Sequence, residues 1–410
     1  MLNRARIGLI LVLSVGFLTA AAQSATSRGG AAPDLTVHEW GTFTTVAGED
    51  GRAIEWLPLG GPTDLPCFVE HFQNNPRVKI LTGQTAALDY ETARAHLWGK
   101  VRMETPVLYF YAPKEMSANV RVGFPRGLMT EWYPHATVTQ PNVNALTLRD
   151  PDHASVIEWP DVRIAPNARP VFPVGSGSSH YYAARETDAA PVLVNRQRER
   201  FLFYRGVASF DVPLAATALA GGAIRLINRG PDDIPAVVLF EKRGSKLGYR
   251  IHGALRGETT LAAPALRGDL PALRGELEVM LVAAGLFPRE ARAMIATWGD
   301  SWFEEGTRVF YIVPPRAVDA ILPLRIDPKP ASVTRVFVGR MEVITPALQR
   351  SVERAIYASN GVALERYARF LGPITDRILS KGMDATRAAR IREVANAAFV
   401  SYLGRMASCE

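Results

Sequence analysis

The sequence predicts an α+β protein, with an antiparallel, β-sandwich-like N-terminal part followed by a helix-rich α+β C-terminal part. Three observations lead there. Between Leu35 and Ile251, short β-branched and aromatic runs are broken by Gly, Pro, Asn and Asp. Beyond Leu266, apolar residues recur at the spacing of a helix face. Asp269, Pro288 and Thr345-Pro346 stand where helices would begin.

In chain order, Arg4 and Arg6 precede an apolar stretch from Ile7 to Leu18 and the small residues Ala20 to Ala22. That is the order of a secretory signal peptide, with cleavage expected after Ala22. The apolar run is shorter than the roughly 20 residues a spanning helix needs. No cysteine follows it and no second long apolar run occurs, so the expected product is exported, periplasmic or extracellular, with no membrane span after signal cleavage. Residues 23–34 are expected to be a flexible lead, residues 35–265 the β-rich part, and residues 266–410 the helical α+β part. Removing Arg4 and Arg6 from the 47 basic residues leaves 45 against 40 acidic ones, spread singly. No basic run offers a nucleic-acid groove.

Segments Val37 to Val46 and Ala53 to Leu59 flank Gly48-Glu49-Asp50-Gly51, which predicts an antiparallel hairpin. Further strands are expected at Pro106 to Tyr111, Val120 to Phe124, Leu128 to Tyr133, Ser155 to Trp159, Phe201 to Tyr204, Ile224 to Ile227, Ala236 to Phe240 and Leu247 to Ile251. One helix is expected within Thr85 to Trp98. In the C-terminal part Asp269 caps a helix with Leu273, Leu277, Met280 and Leu281 on one face and Gly285 at its end. A second helix starts at Pro288 and aligns Ala291, Met294, Ile295 and Trp298. Two strands, Arg308 to Val313 and Val333 to Val338, precede a helical region opening at Thr345-Pro346. The last helix aligns Ile391, Val394, Ala398, Tyr402, Leu403 and Met406.

Several strings, Val37 to Phe43, Met103 to Tyr111, Thr130 to Pro134, Phe201 to Gly206 and Asp300 to Gly306, resemble a group of exported bacterial proteins of uncharacterised activity. The resemblance implies export and a shared architecture; no catalytic residue comes with it. The Tyr-Phe-Tyr strand is also similar to small β-sandwich modules of secreted proteins. Trp302-Phe303-Glu304-Glu305-Gly306 is similar to the helix that supplies the third ligand in zinc aminopeptidases. That chemistry also needs His-Glu-x-x-His, and here His38-Glu39 is followed by Thr42 in place of the second histidine.

The candidate site residues are therefore gathered singly. Glu304 and Glu305, expected at a helix C-terminus where the dipole disfavours them, are the candidate catalytic carboxylates, with Arg308 as an offsetting charge. Trp40, Trp132, His135, His180, Arg185 and Asp188 are the candidate binding residues, and His38 is the candidate metal ligand. No cofactor is assigned. In the four Glu-Trp dipeptides strand alternation expects Trp inward and Glu outward; the sharper reading makes some of these rings a glycan platform. Gly175 to Ser179 is Gly/Ser-rich yet has neither a P-loop lysine nor a Gly-x-Ser-x-Gly elbow. Cys67 and Cys409 are an even count that allows one disulfide in an oxidising compartment. The expected functions are a ligand- or glycan-binding envelope protein, a carboxylate-dependent hydrolase, or a purely structural envelope protein.

Overall fold

The computed structural model describes residues 34–60, 65–72, 81–82, 86–87, 96–143, 147–175 and 179–403. The expected signal peptide, most of the helix expected within 85–98, Met406 and Cys409 lie outside the described residues. The fold is α+β, with mostly antiparallel sheets early in the chain and helices late in it. None of the described helices is long and apolar enough to cross a membrane.

The long strands β1 (Thr36–Ala47), β2 (Val101–Tyr111), β3 (Gly127–Tyr133), β4 (Leu202–Ala208), β5 (Val237–Arg243), β6 (Gly306–Ile312) and β7 (Ser332–Val343) belong to one nine-stranded sheet. Its order is Lys246–His252, β5, β6, β7, β1, β2, β4, β3, Glu70–His71. Every neighbouring pair is antiparallel except β1 with β7, which is parallel from Thr36 beside Ser332 to Ala47 beside Val343. A β-bulge on β2 lets Val107 face Trp40 and Glu104 face Thr42. The second sheet joins Gln197–Glu199, Val192–Val194, Ala154–Ile164, Met116–Pro125 and Leu324–Asp327, with Thr137–Thr139 beside Ala154–Ile164.

The turn at Gly48 to Gly51 forms, with Gly48 N–H donating to the Arg52 carbonyl at 2.7 Å. The hairpin expected from it does not continue: only Ala47 and Ala53 bridge, because both edges of β1 are taken by β2 and β7. Residues Ala32–Glu410 form one compact unit. Strands on both sides of position 265 lie side by side in both large sheets.

The helices begin where local chemistry dictates. The Asp269 carboxylate accepts from Ala272 N–H at 3.0 Å and opens α1 (Leu270–Ala283), which buries Leu273, Leu277 and Leu281. Pro288 opens α2 (Pro288–Thr297), and the Thr345 hydroxyl accepts from Leu348 N–H to open α3 (Pro346–Tyr357). Helices α4 (Leu371–Leu379) and α5 (Ala385–Leu403) complete the C-terminal layer.

Both faces of the nine-stranded sheet are covered. One carries Phe43, Met103, Phe337 and Met341 into a core with Val120, Val122 and Ile157 of the second sheet. On the opposite face, Trp40, Tyr109, Phe203 and Phe310 pack with α1 and α2, while Val46 packs with α3, α4 and α5. This double cover explains why Glu39 and Glu131 are buried beside Trp40 and Trp132, contrary to the simple Trp-in, Glu-out alternation.

Candidate functional site

Strand alternation places Thr42, Thr44, Arg102, Glu104, Arg340, Glu342 and Arg308 on the helix-covered face. Across neighbouring strands Arg340 stands beside Thr44, which stands beside Arg102; Glu104 stands beside Thr42. Two further side chains reach this patch from its covers. Glu304 comes from the turn after α2 and Arg369 from the short 3-10 turn Ala368–Phe370.

Together they form an unbroken chain of alternating charge. Arg308 meets Glu342 at 3.0 Å, Glu342 meets Arg340 at 3.6 Å, and Arg340 meets Glu304 at 2.6 Å. Glu304 meets Arg369 at 3.3 Å, Arg369 meets Glu104 at 2.8 Å, and Glu104 meets Arg102 at 3.4 Å. Arg308, Glu342, Arg340, Glu104 and Arg102 are buried, Arg369 is 9 % exposed, and Glu304, 27 % exposed, forms the outward corner. Burial pushes the Glu104 carboxyl up, but Arg369, Arg102, Arg340 and Arg205 outweigh it and hold it below the usual carboxylate range. Arg340 goes the other way: burial first, then the charges of Arg308 and Arg369, push its guanidinium down to about 9. Buried ion pairs are a poor way to gain stability over an apolar core, which makes so long a chain a candidate site.

The second feature is on the opposite face of β7. An open groove of about 1120 Å³ lies along Leu324–Asp327, Val120, Trp159, Val333 and Arg335. Arg335 Nε donates to Glu39 at 2.6 Å, and Nη1 to Asp319 at 2.9 Å and the Leu322 carbonyl at 2.7 Å. Its Nη2 has no hydrogen-bond partner among the described residues. Glu158, Asp319 and Asp327 add carboxylates to the wall.

The residues singled out in the sequence do not converge. Glu304 and Glu305 lie beyond the end of α2 at Thr297, in the turn entering β6, so no helix dipole bears on them. Arg308 does not offset their carboxylates; it donates to the Glu305 and Trp302 carbonyls, while Glu305 meets the Tyr367 hydroxyl at 3.3 Å. Trp40 and Trp132 are core residues that present no ring face outward, and Trp132 Nε1 donates to Glu70. His135 bonds the same Glu70 at 2.8 Å, and His180 bonds Asp300 at 3.1 Å. His38 bonds Glu290 at 2.7 Å, whose other oxygen accepts from the Tyr111 hydroxyl at 2.8 Å. Among the described residues no set of three His, Cys, Asp or Glu side chains is grouped to hold a metal ion.

The candidate binding residues Arg185 and Asp188 take different partners. Arg185 forms a two-pronged bond with buried Glu199 (2.9 and 2.6 Å) inside a cage of Phe68, Phe172, Tyr181 and Tyr182 rings, whereas Asp188 is exposed and pairs with Arg289 at 2.6 Å. Cys67 is disulfide-bonded. Arg102, Glu104, Arg340 and Glu342 were missed because an alternating charged strand is the pattern of a solvated face; the available signal was alternation in strands long enough to be covered twice.

No family model matches the chain, and no curated protein matches it.

Proposed function

We propose that the chain is exported, like the group its sequence strings resemble, and that it binds a glycan or a similarly hydroxylated small molecule in the groove beside β7. The observation that carries this reading is Arg335. It is a guanidinium fixed by Glu39 and Asp319 whose side chain, 6 % exposed, lines an open groove. Burial pulls the Arg335 guanidinium down, but Glu39 outweighs it, so the group stays charged. A planar guanidinium with carboxylates nearby matches the paired donors and acceptors of neighbouring sugar hydroxyls. Leu324, Ile326 and Val333 supply apolar surface for the sugar's C–H faces. This seat replaces the tryptophan platform, whose rings are inside the core. A hydrolase built on Glu304 is less favoured, since its Oε1 already accepts from Arg340 and Arg369.

Val333 is 46 % exposed in the groove and belongs to no ion pair, so Val333→Trp should fill the groove without removing an ion-pair partner of Arg335. Titration calorimetry against cell-wall and plant oligosaccharides should show at least one ligand bound by the wild type, with about tenfold or greater weakening in V333W at equal unfolding temperature, a loss of about 1.4 kcal/mol. Binding of no glycan, or equal binding by both proteins, would remove the groove as the seat. For export, N-terminal sequencing of protein recovered outside the cytoplasm should begin near Gln23; an intact Met1 would reject the signal peptide.

A further inference from the structure

The groove beside β7 reaches the outer face of the second sheet, where strand pairing sets four polar residues in one row. Thr137 stands beside Glu158, Glu158 beside Arg121 and Arg121 beside Arg325, on four neighbouring strands, and all four line the groove. Val120, Val122 and Ile157, which alternate with them, point into the core, so the row faces solvent. Its charge is unbalanced at the edge. Arg121 is ion-paired with Glu158, whereas Arg325, directly opposite Arg121 on the edge strand Leu324–Asp327, has no ion pair or side-chain hydrogen bond among the described residues. Lys329, exposed in the same wall, has none among them either.

Two arginines directly opposite each other on antiparallel strands repel one another, and here only one of them is answered by a carboxylate. An oxyanion held against both removes that repulsion, and the planar guanidinium fork suits a carboxylate in particular. The wall is not a plain basic patch. Asp327 lies two positions after Arg325 on the same face of the strand, and an ionised carboxylate only accepts hydrogen bonds. A ligand that meets both residues carries an anionic group and, one strand repeat away, hydroxyl donors. The groove, open and about 1120 Å³, is larger than most small-molecule pockets and has room for more than one sugar ring. We propose that its ligand is an acidic glycan, a uronate-bearing oligosaccharide whose carboxylate lies against Arg325 and Arg121 while ring hydroxyls donate to Asp327. A sulfate ester on a sugar shares that chemistry and is the other source of the anion. This assignment rests on the groove as the seat of a glycan, and adds to it the charge of the ligand and the residue that selects it.

The test is calorimetry on the purified protein with oligogalacturonate and oligomannuronate, with their methyl esters, which keep the sugar and remove the charge, and with a sulfated galactan oligosaccharide. At least one acid form should bind about tenfold or more tightly than its ester, and the preference should shrink as salt is raised. Arg325→Gln should remove most of that preference by weakening the acid form about tenfold, as expected for hydrogen bonds lost to a charged group. Its unfolding temperature should equal or exceed that of the wild type, because an exposed, unpaired like charge is gone. Binding of the sulfated oligosaccharide alone, with the same loss in R325Q, assigns the anion to a sulfate ester. Neutral glycans bound as tightly as acidic ones, or a preference untouched in R325Q, would overturn the acidic ligand and leave the groove standing. An acid preference lost in R325Q while V333W binds like the wild type would keep the acidic ligand on the sheet face and overturn the groove as its seat. Binding of no glycan, neutral or acidic, would overturn both.

Discussion

Arg369→Met is expected to lower the unfolding free energy by about 3–5 kcal/mol, the cost of breaking a buried ion pair from one side. Glu104 would then be left fully buried with Arg102 at 3.4 Å as its nearest remaining ion-pair contact, and Glu304 would lose one of its two arginines. Urea denaturation measures the loss. In the double variant Arg369→Met, Glu104→Leu, most of it should return, since the uncompensated carboxylate is gone. The pH dependence gives a second readout with a definite sign. Glu104 is held below its ordinary value in the folded protein, so its contribution is present above about 4.5, the unfolded value, and is lost as pH falls through the folded value. Without Arg369 the burial effect gains against the remaining arginines, so the acid-unfolding midpoint should move to higher pH. A loss below about 1 kcal/mol with an unmoved acid midpoint would show that the pair contributes little and would weaken the description of this patch as one linked chain.

The parts of this fold legible in the sequence are those set by local chemistry. Asp269 with Leu273, Leu277 and Leu281 defines α1 because cap and stripe lie within one short window, and Pro288 and Thr345 act in the same way for α2 and α3. Sheet order is not local. Glu39 and Arg335 are 296 positions apart, yet β1 and β7 are neighbours, and nothing in either strand's sequence names the other. The hairpin at Gly48 to Gly51 shows the same limit: the turn residues predict the turn, but which strand then pairs with β1 is decided by competition along its whole length.

The candidate sites suffered from one further ambiguity. Gly339-Arg340-Met341-Glu342-Val343 alternates apolar and charged residues, which is the pattern of a strand with one solvated face. That face is instead covered by the C-terminal helices, and the charges pair with one another beneath them. Glu304 was visible as an unusual residue, but its explanation depended on Arg340 and Arg369, which only the folded chain brings to it. Glycine holds the remaining information in the Trp302 to Gly306 string, for Gly306 is the residue that lets the turn enter β6 against the Arg308–Glu342 pair.

Gly306→Ala should destabilise the protein by about 3 kcal/mol or more, through two costs that act together. The backbone at Gly306 has φ +136°, a conformation that a side chain resists. A Cβ there would also stand 2.3 Å from Glu342 Oε1 and 2.6 Å from Arg308 Nη2. Neither atom is the loose end of a solvated side chain. Glu342 Oε2 is bonded to Arg308 Nε, and Arg308 Nη2 is bonded to the Glu305 carbonyl, so a methyl group must push apart a buried pair. Gly275→Ala is the matched control, because Gly275 is exposed within α1 and an added Cβ meets nothing within 4 Å. There the same chemical change should raise stability by about 0.5–1 kcal/mol, the ordinary helix preference for alanine. Opposite signs for the two variants in one urea series are the expected result. A Gly306→Ala protein as stable as wild type would mean that the turn and the Arg308–Glu342 pair can move apart at little cost, and the rigidity ascribed to this end of the charged chain would be lost.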